Sequence, residues 1–421
     1  MNVCGIVAEY NPFHNGHQYQ IEQIKKNGAT HVVAVLSGSF VQRAEPAIVS
    51  KFERARLAVL GGADLVVELP VQYATASAER FAHAAVFLLR ALGCVDTISF
   101  GSECGDLALL QRAADAIADA DVVRLTREFC ETGMPYPAAR EKVVEKLYGE
   151  EVSAVLRSPN NLLGVEYLKA LRLEKSRITP TTILREGAAH DKDETDGLFA
   201  SAKFLREQVR AGADIINYVP FETKCALEKA NADGKLSGGL EALAQAILFQ
   251  LRTMTAEELR ALPDCTDGLG DRLYTATQQY GELPAVLEAA KTKRYTMSRV
   301  RRAALCALLG IRPADYFDPP YIRLLAIGRY GEELLARIGK TKKLPMSASL
   351  LSLLRDGQRL QRAGKGNESD MTREVEEIVR DGREMERCAR LEAHATDIFN
   401  LSLEKPAVRG RDFSTPLYRV K

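Results

Sequence analysis

His14 and His17 stand three residues apart in Tyr10-Asn-Pro-Phe-His-Asn-Gly-His17, and the chain holds only six histidines. Three residues are close to one helical turn, so on a helix both imidazoles can aim at one anion. Residues 3–8 before them are a short, charge-free apolar run, which suits a strand covered on both faces. Asn11-Pro12 ends it, because proline removes a ladder donor and Asn-Pro favours a turn. Residues 18–25 then read as helix, with Ile21 and Ile24 three apart and Glu22 spaced to pair with Lys25 and Lys26. The first N–H groups of a helix lack partners and its dipole is positive there, so the histidines fall where a phosphate docks. Gly16 lets a ligand approach the backbone. A zinc site is the weaker alternative: His-x-x-His lacks the i, i+4 spacing and adjacent glutamate of the helical zinc motif, and no cysteine pair supports it. The plain alternative is a turn with solvated histidines.

The elements that must position these residues alternate. Strand-like runs at 31–36, 64–68 and 97–100 are separated by helical patterns at 51–60, 78–92 and 106–118. Such alternation with short links implies a parallel sheet wound with helices on both faces, an α/β fold of Rossmann-like type. Ligands in such sheets sit beyond the carboxyl ends of the strands. There lie Asn11 to His17, Ser37 to Arg43, Glu68 to Tyr73, and Gly101-Ser102-Glu103. Residues 120–157 are mixed with helical character. Ser158-Pro-Asn160-Asn161 opens a helix over 162–171, where serine or asparagine is a natural cap. A fifth strand at 179–184 delivers Arg185, whose charge suits a polyphosphate, and a further helix starts at Ala200-Ser201. Beyond about residue 235 the strand-like runs stop. Helical patterns follow at 239–252, 256–262, 269–279, 283–290, 298–309 and 321–338, then a charged stretch at 355–387, with Gly364 to Ser369 as an exposed loop.

At 421 residues the chain has room for two or three domains. Hydrophobic residues make up 46% and charged ones 27%, the balance of a soluble globular protein. With a net charge of only +1, any nucleic-acid surface must be a local patch. The start enters a strand directly, without signal features, and no apolar run has membrane-spanning length, so a cytoplasmic protein with no membrane partner is expected. Eight cysteines without a C-x-x-C pair argue for reduced thiols and against a disulfide or zinc framework.

His14-Asn-Gly-His17 resembles the His-x-Gly-His motif of the nucleotidyltransferases related to class I aminoacyl-tRNA synthetases. Gly5 to His17 with Gly38-Ser-Phe-Val-Gln-Arg43 is similar to a narrower family, the bacterial tRNA(Met) cytidine acetate ligases, which use ATP to activate acetate and acetylate the wobble cytidine of elongator tRNA(Met). The likeness continues through Asp64 to Pro70, Phe100 to Glu103, Ser158 to Asn161 and Lys293 to Thr296, most of the chain. The resemblance implies an ATP-binding catalytic domain over 1–235 and a helical, tRNA-binding region over 236–421. It implies His14 and His17 as catalytic. It places ATP on Val7, Ala8, Glu9, Tyr10, Asn11, Pro12, Phe13, His14, Asn15, Gly16, His17, Gln18, Tyr19 and Gln20, with Gly101, Asn160 and Arg185. Ser201 and Arg206 match a second phosphate motif, although Lys203 stands where a serine or threonine is expected.

Residues 291–302 carry six basic side chains, no acidic one, and Tyr295. Phosphate contact plus an aromatic is what RNA binding requires, and a solvated basic face is the plain alternative. The resemblance favours tRNA, on Lys293, Arg294, Arg299 and Arg302. The expected partners are acetate and elongator tRNA(Met), with ATP as substrate and Mg2+ accompanying it and no protein metal site. Two other functions fit less well: an adenylyltransferase releasing a small nucleotide conjugate, which leaves the helical half without purpose, and a non-catalytic nucleotide- or RNA-binding protein, against which the intact histidine motif stands.

Overall fold

A computed structural model describes residues 1–185, 199–365 and 373–420. The chain begins β1 (Val3–Ala8), α1 (Asn15–Lys26), β2 (His31–Ser37), a hairpin of β3 (Phe40–Val41) and β4 (Glu45–Pro46), and α2 (Lys51–Leu60). It continues through β5 (Leu65–Leu69), α3 (Val71–Ala74), α4 (Ala78–Leu92) and β6 (Thr97–Ser102). Four helices follow: α5 (Leu107–Ala118), α6 (Ala120–Glu131), α7 (Tyr136–Tyr148) and α8 (Glu150–Val155). Then come α9 (Pro159–Leu173), β7 (Thr179–Leu184), α10 (Ala202–Arg210) and α11 (Phe221–Ala232). A helical stretch holds α12 (Ala244–Thr253), α13 (Ala256–Arg260), α14 (Leu269–Gln279), α15 (Leu283–Ala290) and α16 (Met297–Leu309). The end comprises β8 (Ile322–Ile327), α17 (Gly331–Thr341), β9 (Met346–Ser347), α18 (Leu350–Lys365), α19 (Arg373–Leu401), α20 (Arg411–Ser414) and β10 (Tyr418–Arg419). Of the loop expected at Gly364 to Ser369, residues 366–369 lie outside the described residues.

The main sheet has the order β10-β8-β5-β2-β1-β6-β7, with β9 beside β8. β5, β2, β1, β6 and β7 are mutually parallel. Alternate residues of the central strands feed two cores. Val3, Val33 and Val67 pack with α4 and α9 on one face, and Cys4, Ile6, Val32 and Val66 with α1 and α2 on the other. This is why those runs are largely apolar. Chain order reverses between β1 and β6, and that switch point opens a crevice at their carboxyl ends.

The C-terminal region is largely helical, as its patterns imply, but it also completes the sheet. Residues 321–338, expected as one helix, divide into β8 and α17, and β8 runs antiparallel to β5. All six residues of β8 are buried. So short an apolar run has no period that separates a buried strand from a helix, and Pro319-Pro320 starts it cleanly. The helical core of α12 to α16 also takes in Phe40, Ala44 and Val71 from the loops after β2 and β5. The two halves of the chain therefore share packing at the functional edge of the sheet.

Candidate active site

The turn after β1 folds into a reciprocal histidine cap. His14 is the N-cap of α1, and its Nδ1 accepts the Gly16 N–H at 3.1 Å. His17 Nδ1 accepts the His14 N–H at 3.2 Å. The two rings stack with centroids 3.7 Å apart, and Tyr10 meets His17 edge-on at 4.8 Å. Phe13 closes this aromatic nest, and a side chain at Gly61 would overlap its ring. Since each Nδ1 is an acceptor, each neutral imidazole carries its proton on Nε2. Burial drives His14 down to about 3, with the Arg185 charge adding to the effect. His17 also lies well below its ordinary value, through burial and then the charges of His14 and Arg185. The cradle thus presents two uncharged N–H donors at neutral pH.

The helix start itself is more committed than expected. Asn15 N–H donates to the Tyr218 carbonyl at 3.0 Å, and the Gly16 amide is held by His14. Donors to an anion must come chiefly from side chains. Two buried donors in the turn, the Tyr10 hydroxyl and Asn11 Nδ2, have no partner among the described residues, while Asn11 Oδ1 accepts Ile48 N–H at 2.7 Å.

Keeping both rings neutral has a stability cost that depends on pH. Between the unfolded value near ~6.5 and the depressed folded values, the unfolded chain binds protons that the folded chain does not, so stability falls as pH drops through that window. Each ring contributes up to about 1.4 kcal/mol per pH unit. Urea midpoints should fall from pH 7 to pH 5, and the fall should be shallower in His17→Asn. An equal slope in both proteins would mean His17 is not held neutral.

The other residues singled out from the sequence converge unevenly. Gly101 and Arg185 meet at the ends of β6 and β7, the aliphatic part of Arg185 lying where a Gly101 side chain would be. Arg206 Nη1 donates to Asn11 O at 3.0 Å and Nη2 to Glu45 at 2.9 Å, so α10 clamps the turn that holds the histidines. Ser201 Oγ caps α10 by accepting Phe204 N–H, and Lys203 lies 3.8 Å from Glu207. Asn160 Nδ2 donates to Glu103 at 2.6 Å. The cap of α9 is this glutamate: Glu103 accepts the Asn160 and Asn161 N–H groups, and Ser158 makes no side-chain cap.

Arg299 and Arg302 have partners within the chain. Arg299 donates to Asp264 O and Thr266 Oγ1, each at 2.9 Å, and Arg302 Nε to Asp264 Oδ2 at 2.7 Å. They pin a loop in which Asp264 and Asp267 have positive φ. Lys293 and Arg294, in the turn between α15 and α16, are exposed, as are Lys291 and Arg301.

Two features escape sequence reasoning. Arg54 is fully buried and donates to the carbonyls of Glu9, Ser37, Gly38 and Val49, tying together the loops after β1 and β2. Beside it, Lys51 Nζ lies 2.5 Å from Glu68, 2.9 Å from Glu392 and 2.7 Å from Asp412, and Arg323 completes the buried network. The only sequence signal is a charge inside apolar patterns, as at Arg323 in β8. A cavity of about 750 Å³ lined by Ser39, Ser50, Phe399 and Arg411 lies against the loop between β2 and α2 and takes in neither histidine.

A mostly parallel sheet with a His-x-Gly-His cap at its switch point is what the HIGH class of nucleotidyl transferase implies, and the HIGH Nucleotidyl Transferase family model matches residues 1–409. The chain is 41% identical to a tRNA(Met) cytidine acetate ligase of Caldanaerobacter subterraneus subsp. tengcongensis over 82% of its own length and 88% of that protein's. A ligase of the same name from Thermoanaerobacter sp. strain X514 is 34% identical over all of both chains. The chain belongs to the tRNA(Met) cytidine acetate ligase family. Among solved structures, apo Thermotoga maritima TmcAL superposes with a TM-score of 0.88 at 30% identity over all of both chains, and the same protein bound with alpha-thio ATP with a TM-score of 0.86. Among the described residues, no helix is long and apolar enough to cross a membrane.

Proposed function

We propose that the protein is an ATP-dependent acetate ligase that forms acetyl-adenylate and transfers the acetyl group to N4 of the wobble cytidine of elongator tRNA(Met), giving N4-acetylcytidine. The observation that carries this reading is the pair of stacked, neutral histidines at the switch point, with Arg185 beside them and Arg206 clamping their turn. It is supported by the ligase names of the relatives and by the ATP analogue bound to the Thermotoga protein.

Acetate is ionised near neutral pH, so its carboxylate attacks the α-phosphate without a base. Catalysis then consists of positioning and of stabilising charge on the phosphoryl oxygens. The Nε2–H groups of His14 and His17 serve that charge, Arg185 faces the polyphosphate, and Asn11 Nδ2 fits the same role as an unused donor. Magnesium would accompany the phosphates, since it commonly keeps waters and phosphate oxygens as ligands. The described residues hold no cluster of three or more His, Cys, Asp or Glu that could cage an ion. Acetate-dependent exchange of pyrophosphate into ATP tests the first half-reaction, and no exchange would refute it.

For the RNA half, residues 1–235 serve as the catalytic part and residues 236–421 as the tRNA-binding part, with Lys293 and Arg294 among the exposed side chains of the basic segment that are open to a phosphate backbone. Alanine at both should lower the salt slope of tRNA binding by about two units, one per lost contact. The measurement is filter binding across a salt series. Alanine at Arg299 and Arg302 should instead loosen the loop around Asp264, and a slope changed only by that second pair would reverse the assignment.

A further inference from the structure

The second half-reaction, on the function just proposed, has a proton to place. The exocyclic amine of cytosine attacks the acetyl carbonyl carbon, an N–C bond forms, the acyl C–O bond to AMP breaks, and AMP leaves as its phosphate anion. Because the amine lone pair is delocalised into the ring, it becomes a competent nucleophile only as a proton is taken from it. Neither histidine can accept that proton, since each Nδ1 holds a backbone N–H and each Nε2 already carries a hydrogen.

The carboxylates around the crevice can be sorted by what they hold. Glu103 receives three N–H groups from Asn160 and Asn161. Glu45 is paired with Arg206, and Glu68 lies in the buried network of Lys51 and Arg323. Glu9 is different. It follows the last residue of β1 at the crevice and is only partly buried. Its backbone carbonyl is held by Arg54 at 2.6 Å and its Oε1 by the Gln42 N–H at 2.9 Å, while Oε2 has no hydrogen-bond partner among the described residues.

We propose that Glu9 is the proton acceptor of the acetyl-transfer step, taking the amine proton on Oε2 as the N–C bond forms and passing it to water once AMP has left. The charges around it suit the role. Burial raises its carboxyl above the usual range, Arg206 and Arg43 pull it back, Glu45 raises it again, and Arg54 stands behind its carbonyl with the neutral phenol of Tyr167 near the side chain. A carboxylate so raised is a stronger base than a free one.

The test is Glu9→Gln, whose amide oxygen can still accept the Gln42 N–H and keep the loop in place. Two rates are compared in wild type and variant: trapping of acetyl-adenylate by hydroxylamine, a nucleophile that needs no enzymic base, and single-turnover acetyl transfer to tRNA. The proposal predicts that transfer falls about 10² to 10⁴-fold more than trapping. It also predicts that wild-type transfer declines as pH drops through the Glu9 carboxyl and that this acidic limb is absent from the variant. Glu9→Asp should recover part of the loss. Equal losses in both rates, or an unaltered limb, would overturn the proposal. Wild-type protein that yields no hydroxamate at all would instead refute the ligase reading, and the proposal with it.

Discussion

Alanine at position 17 is expected to lower acetate-dependent adenylate formation by roughly 10²- to 10³-fold, the usual loss when a preorganised donor to transition-state charge is removed. It removes more than that donor. His17 Nδ1 holds the His14 N–H, and its ring fills the nest of Tyr10 and Phe13, so His17→Ala also leaves a buried amide unpaired, at a cost of about 1–3 kcal/mol. The sequence alone suggests that stability would barely change. The structure shows why it must. His17→Asn separates the two effects, because the asparagine Oδ1 can still accept the His14 N–H but offers no Nε2 donor. Adenylation should be lost in both variants and stability mainly in the alanine one. Normal turnover in His17→Asn would remove the imidazole from the chemistry.

The largest stability effect is expected at Lys51. Its ammonium is fully buried among Glu68, Glu392 and Asp412, which come from β5, α19 and α20. Burial and the neighbouring carboxylate of Glu68 push Glu392 up to about 8, so this group holds a proton at neutral pH that the unfolded chain releases. Its contribution therefore weakens stability as pH rises from the ordinary carboxylate range toward 8. Lys51→Met leaves three carboxyl groups facing Arg323 alone. Removing one partner of a buried pair typically costs about 3–5 kcal/mol, because the remaining charge is uncompensated. Urea unfolding followed by circular dichroism measures this, and a loss below about 1 kcal/mol would mean that the network reorganises or takes up water. Because Glu392 also accepts the Val71 N–H at 2.8 Å, the same substitution should loosen the C-terminal helices from the sheet.

What the sequence shows and hides follows from how local each signal is. The runs at 3–8 and 31–36 are legible because parallel strands buried on both faces need largely apolar side chains, and the run at 97–100 because its β-branched and aromatic residues fall between two helical patterns. The histidine motif is legible because its spacing, its stop at Asn11-Pro12 and the helix after it are all local. β8 is missed because so short a run, five apolar residues broken by Arg323, has no distinguishing period, and its pairing partner β5 lies some 250 residues earlier. The cap of α9 is misread for a similar reason: Ser158 and the asparagines are the local candidates, while the acceptor is Glu103, 57 residues away. Arg54 looks like an ordinary helix cation, and only the fold brings four carbonyls around it. Arg299 and Arg302 read as a basic face because the acceptors they bind, Asp264 and Thr266, lie more than thirty residues upstream.

Acetyl transfer to the wobble cytidine is read out on the tRNA product itself. The protein is incubated with ATP, isotope-labelled acetate and unmodified elongator tRNA(Met), and the tRNA is digested to nucleosides and to anticodon-loop fragments for mass spectrometry. The expected result is label in N4-acetylcytidine, confined to the wobble position, with AMP and pyrophosphate released in equal amounts. Acetate-dependent release of AMP or an acetyl-nucleotide into solution, with the tRNA unlabelled, would contradict it.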